Sequence, residues 1–152
     1  MKKFKFTLET VLSYKQQVLD ALQREHGLLV GEVRAQERLL LRLRQAYREY
    51  GDEYNERSAA GMILTDALFY QSRLRAMERE IQTEQQRLEE LERLAEEKRL
   101  EVVAARQDTA SIEKLREKKL AAYDKAVAKA EEQLVEEFVS TTRITAGSQR
   151  AG

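Results

Sequence analysis

Residues 12–54 read LSYKQQVLDALQREHGLLVGEVRAQERLLLRLRQAYREYGDEY, and this stretch decides the fold. From Leu12, alternating steps of three and four land on Lys15, Leu19, Leu22, His26, Leu29 and Val33. They continue through Gln36, Leu40, Leu43, Tyr47, Tyr50 and Tyr54. Most of these are apolar, and a repeat of about 3.5 residues is the seam of a coiled coil. Between them lie charged residues such as Arg24, Glu25, Glu32, Arg34, Glu37 and Arg38, which places a solvated face opposite the seam. Thr7 is a plausible N-cap, so the first helix is expected over about 8–57.

The helix should break at Ser58-Ala59-Ala60-Gly61, because Gly61 can take the left-handed conformation that ends a helix. A turn over about 58–65 follows, with Thr65 or Asp66 capping an antiparallel return. The second helix is expected over about 66–140. It carries Leu74, Met77, Ile81, Leu88, Leu91, Ala95, Val102, Ala105 and Ile112 on one stripe, interrupted at Glu84 and Lys98. After Ile112 the phase slips to Leu115, Leu120, Tyr123, Val127, Ala130, Leu134 and Phe138, as at a stutter. The expected fold is all-α, an antiparallel coiled-coil hairpin over 1–145 with a longer second helix, and 146–152 as a disordered tail. Pairing across the turn sets Leu8 opposite Leu115, so residues after about Ala122 have no partner within the chain. Their apolar stripe then points to an external partner, with fraying or self-association of the extension as the alternative.

The composition agrees. Of 152 residues, 42% are apolar and 36% charged, with no Pro, Cys or Trp. That is the composition of long helices rather than of a thick core or a disordered tail. The absence of cysteine excludes disulfides, thiolate metal sites and a cysteine nucleophile. No apolar run approaches the ~20 residues of a membrane span. The basic start Met1-Lys2-Lys3-Phe4-Lys5-Phe6 is followed by no apolar core of a signal peptide. The 27 basic and 27 acidic residues cancel, which removes the main argument for a nucleic-acid partner. They are nevertheless segregated. Lys2, Lys3 and Lys5 fall near Lys114, Arg116, Lys118, Lys119, Lys125 and Lys129 at the open end, a basic collar suited to an acidic protein surface. The stretch from Glu78 to Glu101 is acidic in balance, and Glu131, Glu132, Glu136 and Glu137 follow the collar.

Few single residues carry chemistry. His26 sits on the seam and reads as a packed residue, since no second metal ligand has the right spacing. Gly27 and Gly31 either permit a close approach or bend the helix. Leu39-Leu40-Leu41-Arg42-Leu43 widens the apolar face, so a third helix packs there or Leu41 is exposed. Tyr47, Tyr50, Tyr54, Phe69 and Tyr70 cluster near the turn and should plug it with rings. No phosphate loop or acid/base pair is present, and a helix pair offers no enclosed site. Neither enzyme activity nor a catalytic residue, cofactor or metal is expected.

Several blocks, in order, resemble one family. Phe4-Lys5-Phe6-Thr7-Leu8-Glu9-Thr10-Val11-Leu12 has the form F-x-F-x-L-E-x-V-L. Gly61, Tyr70-Gln71 and Ile81 follow, then Ile112-Glu113-Lys114-Leu115-Arg116-Glu117-Lys118-Lys119 with Tyr123, then Leu134-Val135-Glu136-Glu137-Phe138 and Arg143. Over nearly the whole chain this is similar to FliJ, the coiled-coil protein of the bacterial flagellar export apparatus. The resemblance implies a non-enzymatic, stalk-like protein that binds the export ATPase (FliI-like), promotes its hexamer assembly and activity, and contacts the export gate protein (FlhA-like) and export chaperones. It implies a cytoplasmic location, peripheral at the inner face of the membrane through partners only, and no nucleic acid. Carried onto this chain, the ATPase-binding end comprises Phe4, Phe6, Leu8, Arg116, Lys118, Lys119, Tyr123, Val127, Leu134 and Phe138. The gate-binding surface comprises Phe69, Tyr70, Arg73 and Met77. A stalk or chaperone-like protein of an injectisome-type secretion system, or a generic coiled-coil tether, is the alternative.

Overall fold

The computed structural model describes the backbone of residues 2–151 and the side chains of residues 2–148. Two helices account for nearly all of it: α1, Glu9–Ala60, and α2, Leu64–Ala151. Among the described residues there is no strand. The fold is all-α, with two long helices packed on each other.

Gly61-Met62-Ile63 connects them. Gly61 has φ of +105°, the only positive φ among the described residues, so the helix ends where glycine removes the penalty for that conformation. The Gly61 N–H donates to the Ser58 carbonyl at 3.3 Å, and the Ala67 N–H donates to Ile63 at 3.1 Å. Ile63 therefore opens α2. Thr65 and Asp66, expected as caps, lie inside its first turn, where the Asp66 carboxylate faces the positive helix end.

Contacts group the chain into two compact units. One unit, Leu19–Ala104, is a helical hairpin containing the turn. Its buried residues are Leu40, Tyr70, Leu88, Leu91, Val102 and Gln36. Leu40, 2% exposed, is the most enclosed of them. The polar interruptions of the seam turn out to face one another. Gln36 Nε2 donates to the Glu84 carbonyl at 2.9 Å and to Glu84 Oε2 at 2.5 Å. Lys98, mid-seam on α2, meets Glu25 at 3.0 Å and Glu101 at 2.9 Å. A seam polar group that has its partner only in one alignment selects that alignment.

The other unit comprises Met1–Val18 and Ala105–Gly152. Glu9 Oε2 accepts from Arg116 Nε at 2.9 Å, one residue beyond the expected Leu8–Leu115 pairing on each helix. Lys15 pairs with Asp108, and buried Thr109 donates to the Ala105 carbonyl at 2.8 Å. The stripe expected after Ile112 is covered as far as Val127: Leu115, Leu120, Tyr123 and Val127 are all half-buried. From Thr109 on, the covered positions of α2 are Thr109, Ala110, Ile112, Leu115, Arg116, Leu120, Tyr123 and Val127. Arg116 holds the seam because its charge is paired with Glu9 and its guanidinium lies over a ring.

The helix end expected near 140 is also corrected, since α2 runs through Ala151. The hydroxyls of Thr141, Thr142 and Thr145 donate to the carbonyls of Glu137, Phe138 and Thr141 at 2.8, 2.8 and 2.9 Å. These bonds to the preceding turn satisfy the hydroxyls within the helix, and no proline interrupts it. Of the tail expected at 146–152, residues 146–151 are helical and residue 152 lies outside the described residues.

Candidate partner-binding site

Residues 2–6 are not helical, and burial from Lys3 to Leu8 alternates: Phe4, Phe6 and Leu8 are covered while Lys3, Lys5 and Thr7 are exposed. Period two is the signature of extended chain, and it explains the F-x-F spacing. Phe6 is buried, and the Phe4 ring lies 5.6 Å from Tyr123 with the Arg116 guanidinium 5.7 Å from its centroid. The Tyr123 hydroxyl donates to the Lys2 carbonyl at 2.6 Å. The segment thus lies along α2 to Tyr123, and Val127 is still half-buried. The unpartnered stretch begins at Ala128, not after Ala122: from there through Ser148 every residue is exposed.

Of the ten residues expected to bind the ATPase, Phe4, Phe6, Leu8, Arg116 and Tyr123 pack within the chain, and Val127 is half-covered. Lys118, Lys119, Leu134 and Phe138 face outward. Docking Lys2 on Tyr123 brings Lys2, Lys3 and Lys5 toward the α2 stretch bearing Lys118, Lys119 and Lys125. All are exposed, and among the described residues none is in an ion pair. Val135 and Val139, also exposed, widen the stripe of Leu134 and Phe138. A strict three–four count misses them, although each directly follows a residue on that count.

The four residues expected at the export gate divide likewise. Tyr70 is buried, its ring centroid 4.9 Å from Tyr50 and 5.5 Å from Tyr54, with Arg57 5.9 Å away. Burial pushes its phenol above the ordinary value. Met77 is half-buried. Phe69 and Arg73, one turn apart, are exposed. Ile63, Leu64 and Leu68 extend the exposed apolar area at the turn. They lie outside the heptad count because they belong to a loop and the first turns of a helix, not to a seam. Beside them Tyr50, Arg57, Met62, Phe69 and Tyr70 line an open hollow of about 570 Å³. Of the expected plug, the rings of Tyr50, Tyr54 and Tyr70 pack together while Phe69 stays outside it; Tyr47 donates to Glu78, whose hydrogen bond raises the phenol pKa, and Gln71 donates to Tyr54 at 3.1 Å.

Among the described residues no group of His, Asp and Glu is arranged to hold a metal, and no helix is long and apolar enough to cross a membrane. The sequence model of the family described as "Flagellar FliJ protein" matches residues 4–148. The chain belongs to the FliJ family. It is thereby a flagellar export-associated protein, in a family of structural, export-associated non-enzymes. Comparison with curated proteins and with solved structures finds no match. The FliJ match begins at Phe4 and so takes in the segment that packs on α2, and it ends at Ser148, past the exposed stripe.

Proposed function

We propose that this FliJ-family chain is the stalk-like component that binds the flagellar export ATPase, promotes its hexamer assembly and activity, and links it to the export gate and to export chaperones. The observation that carries the reading is the exposure of every residue from Ala128 to Ser148 on a helix with an apolar stripe. Such a stripe loses contact with water only on a partner. The unpaired lysines at 2–5 and 118–125 form a separate patch N-terminal to the stripe, suited to an acidic part of the partner and to faster encounter. The gate contact rests on Phe69 and Arg73, while Tyr70 and Met77 support it from beneath. The protein works in the cytoplasm, held at the inner face of the membrane by its partners. The match to a flagellar family favours this setting over an injectisome.

ATP hydrolysis by the cognate export ATPase tests the reading, with full-length chain and a chain ending at Val127 compared. The cut at Val127 keeps the Tyr123–Phe4 contact, which a cut at Ala122 removes. Stimulation by the full chain alone is the expected result. Equal stimulation by the shortened chain removes the exposed stretch from the contact, and no stimulation by either leaves tethering and chaperone handling.

A further inference from the structure

Leu134, Val135, Phe138 and Val139 are spaced one, three and four residues apart, so they share one side of α2. Their exposures are 67, 62, 72 and 41%, and among the described residues nothing covers them. The N-terminal border and one side of this stripe are acidic, while Arg143 lies one turn after Val139 at its C-terminal end. Glu131 precedes Leu134 and Val135 by one turn, Glu132 lies one turn before Val135, and Glu137 lies one turn after Leu134. Among the described residues none of the three is in an ion pair.

We infer that this stripe seats a basic amphipathic helix of a partner protein, with apolar residues at three- and four-residue spacing and Lys or Arg beside them. The inference rests on the docking reading above for the place of contact and adds the chemistry of the occupant. An apolar ridge fits the stripe, and basic flanks neutralise the carboxylates as they lose water. The same carboxylates disfavour the other occupants. Parallel two-fold pairing of the stripe on itself brings Glu131 of one copy against Glu131 of the other. An anionic lipid surface meets carboxylates where a membrane helix carries lysines. The sign also changes along α2, from Lys125 and Lys129 to Glu131 and Glu132, so a partner helix of matching polarity docks in one direction.

The test uses the full chain and three labelled synthetic peptides of equal length: a Leu/Lys amphipathic helix, its Leu/Glu counterpart, and a scrambled Leu/Lys peptide. Binding is read by fluorescence anisotropy. The ordered Leu/Lys peptide should bind at least about tenfold more tightly than the other two. Leu134→Gln with Phe138→Gln should lose that binding by about tenfold. Glu131→Lys, Glu132→Lys and Glu137→Lys together should shift the preference to the Leu/Glu peptide. All five side chains are exposed, so circular dichroism should show unchanged helix content. Equal binding of ordered and scrambled peptides, indifference to the Leu134 and Phe138 changes, or no binding overturns the inference. A full-length dimer by light scattering that dissociates on the Leu134 and Phe138 changes overturns it in favour of a second copy. None of these readouts involves the ATPase, so failure here and failure of the stalk reading are separable.

Discussion

At the residue scale, a polar group on the seam acts through what it faces. Gln36 looks like a defect in its own helix, yet its amide meets Glu84, a defect in the other. Gln36→Leu leaves the half-buried Glu84 carboxylate without its donor and should cost about 1 kcal/mol in urea unfolding. Adding Glu84→Leu should recover that loss, because replacing both partners removes the unmet group. The double variant should also relax the alignment, visible as mixed oligomers in light scattering. The glycines behave differently. A Cβ built on Gly27 or Gly31 meets nothing within 4 Å, so neither serves a close approach. Gly27→Ala and Gly31→Ala should each raise stability by about 1 kcal/mol, the helix-propensity difference. Unchanged or lower melting temperatures would mean that the bend they permit is part of the fold. Leu41, left open between a packed and an exposed state by its neighbours in sequence, is 66% exposed.

At the element scale, the two helices differ in what holds them. In α1 the apolar seam dominates. Leu40→Ala should cost about 2 kcal/mol or more in unfolding, since the site is enclosed from both helices. In the acidic part of α2, i,i+3 and i,i+4 ion pairs add to the seam: Arg93 with Glu90 and Glu97, and Arg99 with Glu96. Hydrogen bonds from Arg93 and Arg99 hold the Glu90 and Glu96 carboxyls below their ordinary value of 4.5. A carboxyl depressed in the folded state stabilises above its unfolded pKa, and the contribution is lost as pH falls through the folded one. Melting temperature should therefore drop as pH falls below about 4.5. Glu90→Gln with Glu96→Gln should lessen that drop, and an identical acid profile would mean that these pairs add nothing. Lys98 has the opposite sign. Its pKa is raised by Glu101 and Glu25, so its contribution fades only in strong alkali.

At the scale of the whole molecule, the distinction is between chain that packs and chain that does not. Residues 128–148 bury nothing among the described residues, so ending the chain at Val127 should leave the unfolding midpoint within about 2 °C of the full protein. Ending it at Ala122 should lower the midpoint measurably, because Tyr123 is lost from Phe4 and from the Lys2 carbonyl. If the two cuts melt alike, the N-terminal segment is not held as described. Placed side by side in the ATPase assay, the same two chains separate loss of partner contact from loss of folding.

Helix type, seam, turn position and antiparallel return were legible in the residues alone. Heptad spacing and a glycine at a helix end are local properties that no tertiary contact needs to supply. The open-end lysines and the exposed stripe of Leu134 and Phe138 were legible for the same reason. The assignment of Phe4, Tyr70 and Tyr123 to surface or interior was not. An aromatic ring at the right spacing serves a partner or the chain itself equally well, and only the path of residues 2–8 along α2, or the stacking of Tyr50 on Tyr70, separates the two. The sequence thus determined which faces are apolar and which charged. The tertiary structure decided which of those faces the chain covers itself, because coverage depends on contacts between residues far apart in sequence.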